Sequence, residues 1–539
     1  MASTRRNRTK TSKVTGPLRP NTVTPTKVSV LSVATGARMD LVGAVDAEVA
    51  VTGVTLRAQD VQPGDLFAAL PGDRTHGARY ADQAIAAGAT AVLTDPDGRA
   101  ELTRILGPDA SCAVLIHPDP RAALGPVSAR IYGNPSQRLK LIGITGTSGK
   151  TSTAYMVEAA LLAAGHSVGL IGTVQTRIDG VAQPSSLTTP EAPTLQAMLA
   201  AMLERGVDAV VMEVSSHALA LGRVDGAQFA IGAFTNLSQD HLDFHHSMRA
   251  YFDAKARLFA PTSSTHAVRS IICVDDEWGR RMVDVARGDR QSQPVTVSTG
   301  PVAANWHAGP STIAADGVQH AAVTTPTGGS VELGVGLPGR YNVANALLAV
   351  AIASGAGVPT STAVDAVATV AVPGRLERID RGQDFLVVVD YAHKPAALDA
   401  VIATLREQTR GRIAVVVGAG GDRDTGKRPM MGEIAARGAD LAIITDDNPR
   451  TEVPAAIRAE VLAGARGIDD AQGEVREIGD RAEAIATAIA WAQTDDVVLI
   501  AGKGHETGQE IDGVKHPFDD RVVAGEALDT LSGAGTADA

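Results

Sequence analysis

Residues 139–153 constrain this chain most, because an apolar run there leads into a glycine-bearing turn and then into a helical pattern. The apolar positions up to Ile144 predict a buried strand, and the pattern from Ala154 to Ala164 predicts a helix. A turn that joins a strand to a helix N-terminus favours an anion, since backbone N–H groups and the helix dipole point at it. The sequence therefore predicts a phosphate cradle between the strand and the helix.

This phosphate cradle, residues 145–152, follows a variant of the Walker pattern. Lys150 is expected to reach the outer phosphates of a nucleotide, and the Thr151 hydroxyl is expected to bind Mg²⁺. Ile144 stands where the strict pattern has its first glycine, so the alternative is a chance match without a phosphate site. The residues predicted to surround the phosphates are Gly146, Thr147, Ser148, Gly149, Lys150, Thr151 and Ser152.

Bulk composition excludes several classes of protein. A formal net charge of −11 argues against a general nucleic-acid binder, which would carry a basic face. The two cysteines, Cys112 and Cys273, indicate neither a disulfide framework nor a cysteine metal site. No apolar run is long enough to cross a bilayer, so no membrane insertion is expected. Residues 1–27 carry seven Lys or Arg and no acidic residue, which predicts a disordered basic tail on a cytoplasmic protein.

A length of 539 residues exceeds one core, so two to four domains are expected. Strand and helix patterns alternate throughout, which predicts an α/β fold of three domains. We predict a small α/β domain over 28–138, a central P-loop domain over 139–372 and a Rossmann-like domain over 373–539. The stretch 265–335 looks β-rich and irregular, and Asp316-Gly317 predicts a hairpin turn within it.

Polar side chains follow two of the predicted central strands. Glu213 comes at the end of one strand, and His241 lies a few residues after the next. Open parallel sheets bind ligands at the carboxyl ends of their strands, so both side chains should converge on the phosphate cradle. They are therefore candidate Mg²⁺ ligands. A surface turn and a helix cap are the alternative readings.

Lys255 lies among apolar positions in a predicted helix, sharing a face with Tyr251, Phe252, Leu258 and Phe259. A lysine in such a position often extends its ammonium group to solvent, and the pattern leaves that alternative open. If the side chain is buried instead, desolvation lowers its pKa and leaves a fraction as free amine. A free amine can add CO₂, so a carbamate that ligates metal is a hypothesis for Lys255.

Four buried-strand patterns in the last third of the chain each end in polar residues. The first ends at Asp390, the second at the Gly418 turn, and the others run into Asp447–Arg450 and Gly502–Glu506. The Gly418 turn lacks the dinucleotide fingerprint, so we predict a Rossmann-like fold without NAD. Asp447–Arg450 alone could be a β-turn followed by a surface arginine. Upstream, Asn342 or Asn345 could cap a helix or bond a nucleotide base.

Several of these stretches together resemble the Mur ligases of peptidoglycan synthesis. The resemblance rests on Thr145–Thr151, Met212–His217, Thr235-Asn236 with His241–Asp243, and Asp390–Pro395, and it spans about residues 28–525. Asp447–Arg450 and Gly502–Glu506 look like the branch that adds meso-diaminopimelate. The resemblance implies that ATP phosphorylates the terminal carboxylate of UDP-N-acetylmuramoyl-L-Ala-D-Glu, and that the amine of diaminopimelate then displaces phosphate.

The family pattern also implies roles for individual residues. Thr151 and Glu213 would hold one Mg²⁺, while His241 and Lys255, the latter as N6-carboxylysine, would hold or support a second. Lys150 would neutralise the transferred phosphoryl group. The remaining ATP contacts would be Asn345, Arg375 and Asp390. The UDP-linked substrate would contact Leu56, Ala58, Thr188, Thr189, Ser215 and Arg223. Diaminopimelate would contact Arg423, Asp447, Asn448, Pro449, Arg450, Gly502 and Glu506.

The chain departs from the family pattern at two substrate positions. Arg57-Ala58-Gln59 replaces the usual Asp-Ser-Arg, and Leu221 replaces a glutamine.

Within the superfamily, the alternative functions are those of a folylpolyglutamate-synthase-like ligase and a lysine-adding Mur ligase. A P-loop regulatory switch is the alternative from another class, although the Asn-Lys-x-Asp guanine motif is absent. A monomer is expected.

Overall fold

The computed structural model describes residues 18–46, 48–72, 74–106, 111–183, 187–288, 293–314, 318–468 and 473–535. The predicted Asp316-Gly317 hairpin and most of the predicted basic tail lie outside these residues. The chain forms two compact units. The first comprises Met1–Leu141, Gln175–Val210 and His217–Phe229, and the second comprises Ile142–Val174, Val211–Ser216 and Ala230–Ala539.

The N-terminal part of the chain alternates strands and helices. Its strands are β1 Thr26–Lys27, β2 Arg38–Val42, β3 Ala50–Val51, β4 Gly53–Thr55, β5 Asp65–Ala68, β6 Ala91–Thr94 and β7 Cys112–Ile116. Its helices are α1 Val28–Thr35, α2 Ala81–Ala86, α3 Pro96–Ile105 and α4 Pro120–Ile131.

A five-stranded sheet forms the centre of the first unit, in the order β2-β7-β6-β5-β4. Strands β4 to β7 are parallel, and β2 is antiparallel to β7. Strands β5 to β7 are buried along their whole length, as expected when helices cover both faces of a parallel sheet.

The described residues of the central part form twelve strands and eight helices. The strands are β8 Lys140–Thr145, β9 Val168–Ile171, β10 Thr176–Ile178, β11 Val181–Gln183, β12 Ala209–Glu213, β13 Ile231–Phe234, β14 Arg269–Cys273, β15 Val295–Ser298, β16 Trp306–Ala308, β17 Thr312–Ile313, β18 Gln319–Thr324 and β19 Ser330–Val335. The helices are α5 Lys150–Ala163, α6 Ala192–Glu204, α7 Ser216–Ala220, α8 Leu242–His245, α9 Met248–Ala256, α10 Glu277–Arg287, α11 Arg340–Gly355 and α12 Thr360–Ala368.

The main central sheet runs in the order β9-β12-β8-β13-β14-β15-β16-β18-β17, with β19 paired to β18. Strand β8 lies next to both β12 and β13, and β8 is parallel to β13. The carboxyl ends of β8 and β13 therefore meet at one edge, where Thr145 of β8 pairs with Phe234 of β13. This edge carries the phosphate cradle. The strands from β14 to β19 confirm the predicted β-rich stretch.

Where the structure describes the C-terminal part, it forms eight strands and five helices. The strands are β20 Glu377–Arg378, β21 Leu386–Asp390, β22 Ile413–Val417, β23 Leu441–Ile444, β24 Glu474–Glu477, β25 Val497–Ala501, β26 Gly508–Ile511 and β27 Val514–Pro517. The helices are α13 Pro395–Gln408, α14 Lys427–Gly438, α15 Pro454–Arg466, α16 Arg481–Trp491 and α17 Asp520–Gly535.

The C-terminal sheet runs in the order β20-β21-β25-β22-β23-β24, and its five strands after β20 are parallel. The four predicted buried strands are β21, β22, β23 and β25, so this prediction is confirmed. Apolar clusters cover both faces of the sheet, one around Val415 and Leu499 and the other around Val416 and Ile500. The predicted α/β class is confirmed.

One predicted helix is shorter than expected. Helix α9 ends at Ala256, so Leu258 and Phe259 lie in the turn beyond it rather than on the same helix face as Lys255. Both are nevertheless buried, because the turn folds back against the sheet. Among the described helices, none combines the length and apolarity that a bilayer crossing requires.

Candidate active site

Two glycines give the phosphate cradle its shape. Gly146 has φ +148°, and a Cβ there would lie 1.8 Å from Thr235 Oγ1. Gly149, the residue before α5, has φ +83°, and a Cβ there would lie 2.2 Å from Asn345 Oδ1. A larger residue fits at neither position, since the backbone is left-handed and neighbouring side chains already occupy the space. Ile144, which stands where the Walker pattern has its first glycine, lies inside β8. The absence of that glycine therefore leaves the turn intact.

Lys150 folds back over the cradle. Its ammonium group donates hydrogen bonds to the carbonyl oxygens of Gly146 and Thr147, at 2.9 and 3.1 Å. Burial, followed by the charge of Lys394, lowers the pKa of Lys150 to about 8. A nucleotide phosphate would relieve both effects, because it supplies the negative charge that the buried ammonium lacks.

Glu213 ends β12 beside the cradle and is 1% exposed, so the surface-turn reading is wrong for it. Its carboxylate accepts hydrogen bonds from Thr151 Oγ1 at 3.0 Å, from the Thr173 backbone N–H at 2.8 Å and from Thr173 Oγ1 at 3.0 Å. One carboxylate and two hydroxyl groups thus converge at the first turn of α5.

A carboxylate and hydroxyl groups are the kind of oxygen ligands that bind Mg²⁺ in nucleotide-dependent enzymes. The described residues contain no cluster of three or more His, Cys, Asp or Glu side chains that could hold a metal. Mg²⁺ usually takes one or two protein oxygens and completes its octahedron with phosphate oxygens and water. Thr151 and Glu213 offer the protein share of that arrangement.

Asp240 and His241 lie at the mouth of the cradle. His241 immediately precedes α8 and has φ +53°. It therefore occupies the helix-cap position that the sequence left open as an alternative role, but its side chain makes no capping hydrogen bond. Its Nε2 lies 3.0 Å from Asp240 Oδ2, and Lys394 donates a hydrogen bond to the same oxygen. Burial disfavours the Asp240 carboxylate, yet Lys394 and His241 outweigh burial and lower its pKa to about 2.

Lys255 is 1% exposed, so the alternative in which it extends to solvent is wrong. Its ammonium group donates a hydrogen bond to the Gly146 carbonyl oxygen at 2.9 Å and lies 4.5 Å from the Tyr251 ring centroid. Burial, then the nearby charges of Lys150 and Lys394, bring the pKa of Lys255 well below its usual value. The lowered pKa increases the proportion of free amine, which is the state that adds CO₂.

Arg375 and Asp390 bring the C-terminal part of the second unit to the cradle. The Arg375 guanidinium lies over the Tyr391 ring at 4.5 Å, and its Nη2 is 3.5 Å from Thr151 Oγ1. Asp390 accepts the backbone N–H groups of Leu376 and Ala392, at 2.7 and 2.8 Å. Burial raises the pKa of Asp390. Asp390 thereby fixes the segment that carries Arg375.

The two asparagines of α11 bond each other. Asn345 Nδ2 donates to Asn342 Oδ1 at 3.0 Å, and Asn342 Nδ2 donates to the Pro338 carbonyl at 2.6 Å. Gly339 occupies the N-cap, so neither asparagine caps the helix. The contact of Asn345 Oδ1 with Gly149 places Asn345 at the cradle, while its predicted contact with a nucleotide stays a prediction.

Most of the residues predicted to bind the amino acid form one cluster at the carboxyl ends of β23 and β25. Asn448 Nδ2 donates to Glu506 Oε2 at 2.9 Å, and Asp447 is 7% exposed. A Cβ on Gly502, which has φ +115°, would lie 3.3 Å from Asp447 Oδ2. Pro449 joins the cluster through its carbonyl oxygen, which faces Gly421. Arg423 is exposed, and no described hydrogen bond or ion pair joins it to the cluster.

Arg450 closes this cluster on one side. Its φ is +52°, its Nη1 donates to the Gly421 carbonyl at 2.7 Å, and its Nε lies 3.3 Å from Glu510 Oε2. The side chain is 22% exposed. The reading of a plain surface arginine is therefore wrong, and the guanidinium keeps a partly open face beside a carboxylate.

The residues predicted to hold the UDP-linked substrate are distributed over both units. In the first unit, Arg223 Nε lies 2.8 Å from Glu191 Oε1, and its Nη1 donates to the Thr189 carbonyl at 3.4 Å. Thr188 precedes Thr189 and is partly exposed, while Ser215 follows β12 in the second unit. A cavity of about 320 Å³ in the first unit is lined by Leu56, beside buried Ala58, and by Arg19, Arg57, Arg121 and Tyr132.

Sequence reasoning missed four residues of these clusters: Thr173, Asp240, Lys394 and Lys503. Asp240 precedes His241, and Lys394 and Lys503 lie inside motifs whose flanking residues were assigned roles. Their position within those motifs was therefore a usable indication. Thr173 follows β9 with no distinguishing pattern around it.

The fold and the site define a P-loop nucleotide-binding enzyme with a second, amino-acid-sized polar cluster. Residues 50–130 match the Mur ligase family catalytic domain, 144–353 the Mur ligase middle domain, and 374–504 the Mur ligase glutamate ligase domain. The chain belongs to the Mur ligase family. The predicted family and fold class are thus confirmed.

Individual relatives cover nearly the whole chain. The UDP-N-acetylmuramoyl-L-alanyl-D-glutamate–2,6-diaminopimelate ligase of Corynebacterium efficiens is 57% identical over 466 residues, covering 86% of this chain and 87% of the relative. The ligase of the same name from Streptomyces coelicolor is 48% identical over 524 residues, covering 96% and 99%. A solved structure of a ligase with this name has a TM-score of 0.63 at 33% identity, covering 90% and 96%.

A folylpolyglutamate synthase from Mycobacterium tuberculosis has a TM-score of 0.58 at 20% identity, covering 76% of this chain and 95% of that one. At this identity the likeness extends to the fold alone. The fold therefore does not separate the two kinds of ligase, and the distinction rests on the relatives of higher identity.

Proposed function

We propose that this protein is an ATP-dependent ligase that joins meso-diaminopimelate to the D-glutamate carboxylate of UDP-N-acetylmuramoyl-L-Ala-D-Glu. The products are the extended UDP-linked tripeptide, ADP and phosphate, and the reaction belongs to cytoplasmic peptidoglycan precursor synthesis. The observation that carries the proposal is identity of 48–57% over most of the chain to ligases named for this reaction. The polar clusters at the phosphate cradle and around Asn448 supply a place for each half of the chemistry.

The first half transfers the γ-phosphoryl group of ATP to a substrate carboxylate. A carboxylate oxygen attacks the γ-phosphorus, the bond to the bridging oxygen breaks, and ADP leaves with that oxygen. Two anions must be brought together, so the protein has to position and neutralise them. Lys150 provides a desolvated ammonium within the cradle, and Arg375 reaches the same region beside Thr151.

Thr151 and Glu213 would hold a Mg²⁺ ion, and His241 with Lys255 would support a second. When bound, Mg²⁺ supplies positive charge to the phosphate oxygens as the phosphoryl group moves. Lys255 suits the carbamate form because its amine is buried and surrounded by other cations. A carbamate replaces that cation by an anion and reverses the repulsion from Lys150 and Lys394.

The second half is attack by an amine on the acyl phosphate. The amine nitrogen forms the amide bond, phosphate departs from the tetrahedral intermediate, and the nitrogen loses a proton. No covalent bond to the protein is required. Asp447, Asn448, Gly502 and Glu506 would hold the amino acid, with Arg423 closing from the loop after β22.

Arg450 would distinguish diaminopimelate from lysine. Diaminopimelate carries a second α-carboxylate that lysine lacks, and a guanidinium binds a carboxylate through two parallel hydrogen bonds. Arg450 is partly open to solvent and lies at the edge of the amino-acid cluster. Lysine would leave this guanidinium without its carboxylate partner, and such a loss costs about 2–5 kcal/mol in a buried site.

The UDP end of the substrate would occupy the first unit. The cavity beside Leu56 and Ala58 is lined by three guanidinium groups, those of Arg19, Arg57 and Arg121. They pair with Asp65, Asp60 and Glu191, and a diphosphate would have to replace these carboxylates as their partner. Thr188, Thr189, Ser215 and Arg223 would contact the muramoyl peptide. Ala58 and Leu221 lack the polar groups that the family pattern has at these positions, so main-chain groups and the arginines would contribute more of the binding.

The decisive experiment measures phosphate release with ATP, Mg²⁺ and the UDP-linked dipeptide, offering diaminopimelate, lysine and glutamate in parallel. Release that depends on both the dipeptide and diaminopimelate is the expected result. Preference for lysine would overturn the substrate assignment. ATP turnover indifferent to both the dipeptide and the amine would favour a regulatory P-loop protein. Gel filtration would test the expected monomer.

A further inference from the structure

Lys503 lies at the centre of the amino-acid cluster but is itself hidden from solvent. It is the second residue after β25, and its side chain is 0% exposed. Its ammonium group donates hydrogen bonds to Asn448 Oδ1 and Glu506 Oε2, both at 3.2 Å, and lies 3.5 Å from Asp447 Oδ1. A buried lysine thus contacts three of the side chains that the proposed function assigns to the amino acid.

The contacts of Asp447 show why a cation is needed at this point. Its Oδ1 is buried and has no hydrogen-bond partner among the described residues. Asp447 and Glu506 would repel each other in a site of low dielectric constant, and a carboxylate buried without compensation is costly. Lys503 contacts both side chains and places a positive charge beside each of them.

Arg450, at the edge of the cluster, contacts the Gly421 carbonyl and Glu510. Two further cations near the cluster are also held by other partners. The Arg481 guanidinium is bound by Asp520 through two hydrogen bonds, at 2.7 and 2.8 Å. Lys427 donates to the His393 carbonyl at 2.9 Å. The neighbouring Tyr391 is neutral at physiological pH, because burial, then Glu506, raises its pKa to about 12. Lys503 is therefore the cation in direct contact with the three substrate-facing groups in the described part of the chain.

We propose that Lys503 is a positioning residue for the amino-acid substrate. It orients Asn448 and Glu506 through its two hydrogen bonds and sets the local charge of the cluster. The inference rests on the proposed function, since it presumes that Asp447, Asn448 and Glu506 face diaminopimelate.

The test compares Lys503→Met with the unmodified protein in the phosphate-release assay. We expect the KM for diaminopimelate to rise roughly tenfold or more, because the carboxylates that bind it are no longer held in position. The KM for ATP should change less than about twofold. Ile489→Ala, in the apolar core on the other face of the sheet, provides a control for general destabilisation.

Equal rises in the KM for diaminopimelate and the KM for ATP would assign Lys503 a purely structural role and overturn the inference. If Lys503→Met does not fold, Lys503→Arg carries the test. It keeps the charge but displaces the contacts, so the KM for diaminopimelate should rise while the KM for ATP stays nearly unchanged. An unchanged KM for diaminopimelate in a folded variant would also overturn the inference. The proposed function would still stand in that case, provided that turnover by the unmodified protein depends on diaminopimelate. If the unmodified protein ignores diaminopimelate, both fail together.

Discussion

The ammonium group of Lys255 donates a hydrogen bond to the carbonyl oxygen of Gly146, 2.9 Å away, and so joins α9 to the phosphate cradle. The bond spans 109 positions of the chain and is buried. It places a second lysine beside Lys150, in a site where burial and mutual repulsion both favour the neutral amine. Carbamate formation would convert this unfavourable arrangement into a pairing of opposite charges.

Lys255→Ala should abolish ligation, with kcat falling roughly a hundredfold or more, because the second cation site would lose its anionic support. Acetate or formate should restore part of the activity by occupying the place of the carbamate. The exposed Lys515→Ala gives the control, which should keep full activity. Intact-protein mass measurement in bicarbonate buffer would detect the added CO₂. A fully active Lys255→Ala protein that ignores bicarbonate would rule out this role.

Glu213→Gln should lower kcat by about a hundredfold and raise the Mg²⁺ concentration needed for half-maximal turnover. The amide keeps the size of the side chain and can still accept from Thr173, but it lacks the charge that a divalent cation requires. Chelation of Mg²⁺ should stop turnover of the unmodified protein. Glu158→Gln is the matched control, since Glu158 is buried within α5 but lies two turns from the cradle. An unchanged Mg²⁺ requirement in Glu213→Gln would contradict the assignment.

The local parts of this site follow from sequence because short-range rules govern them. An apolar run such as Leu141–Ile144 can be buried only as a strand here, and Gly149 supplies the left-handed turn before α5. Polar groups at the ends of parallel strands then meet at one sheet edge, so Glu213 was placed correctly beside Thr151. Pattern and topology were sufficient for these residues.

The longer-range contacts could not be obtained in this way. Lys394 reaches Asp240 across 154 positions, and Arg375 reaches Thr151 across 224. Both contacts depend on how the C-terminal sheet packs against the P-loop part of the second unit, which no local pattern encodes. The end of α9 was also misplaced, because apolar residues continue past Ala256 in a turn that periodicity alone does not distinguish from a helix.

Arg450→Ala should raise the KM for diaminopimelate about thirtyfold or more and leave the KM for ATP nearly unchanged. The reason is the loss of the guanidinium that pairs with the distal carboxylate, whereas the nucleotide lies at the phosphate cradle. Lysine, which has no such carboxylate, should lose little in the same variant, so the preference between the two amines should narrow. Arg437→Ala, an exposed arginine of α14, is the control. Equal effects on both KM values would indicate a structural role for Arg450.

His505 makes the stability of the protein depend on pH. It follows the Gly502–Gly504 turn, its Nδ1 is buried without a hydrogen-bond partner among the described residues, and its ring lies 5.0 Å from that of Tyr391. Burial, followed by the charges of Arg375 and Arg521, lowers the pKa of His505 to about 4. An unfolded histidine titrates near 6.5, so the unfolded chain takes up the proton first as the pH falls.

The contribution of His505 to the free energy of unfolding should therefore be constant above about pH 6.5, fall as the pH drops towards about 4, and level off below that value. The full shift corresponds to about 3 kcal/mol, and partial exposure of the ring reduces the expected loss to about 2 kcal/mol. Urea denaturation at pH 7.5 and pH 4.5 would measure it. Between the two pH values, the free energy of unfolding of His505→Gln should fall by about 2 kcal/mol less than that of the unmodified protein, because the amide has no proton to take up. The exposed His516→Gln, in the same part of the chain, is the control, and an identical pH dependence in His505→Gln and the unmodified protein would refute the assignment.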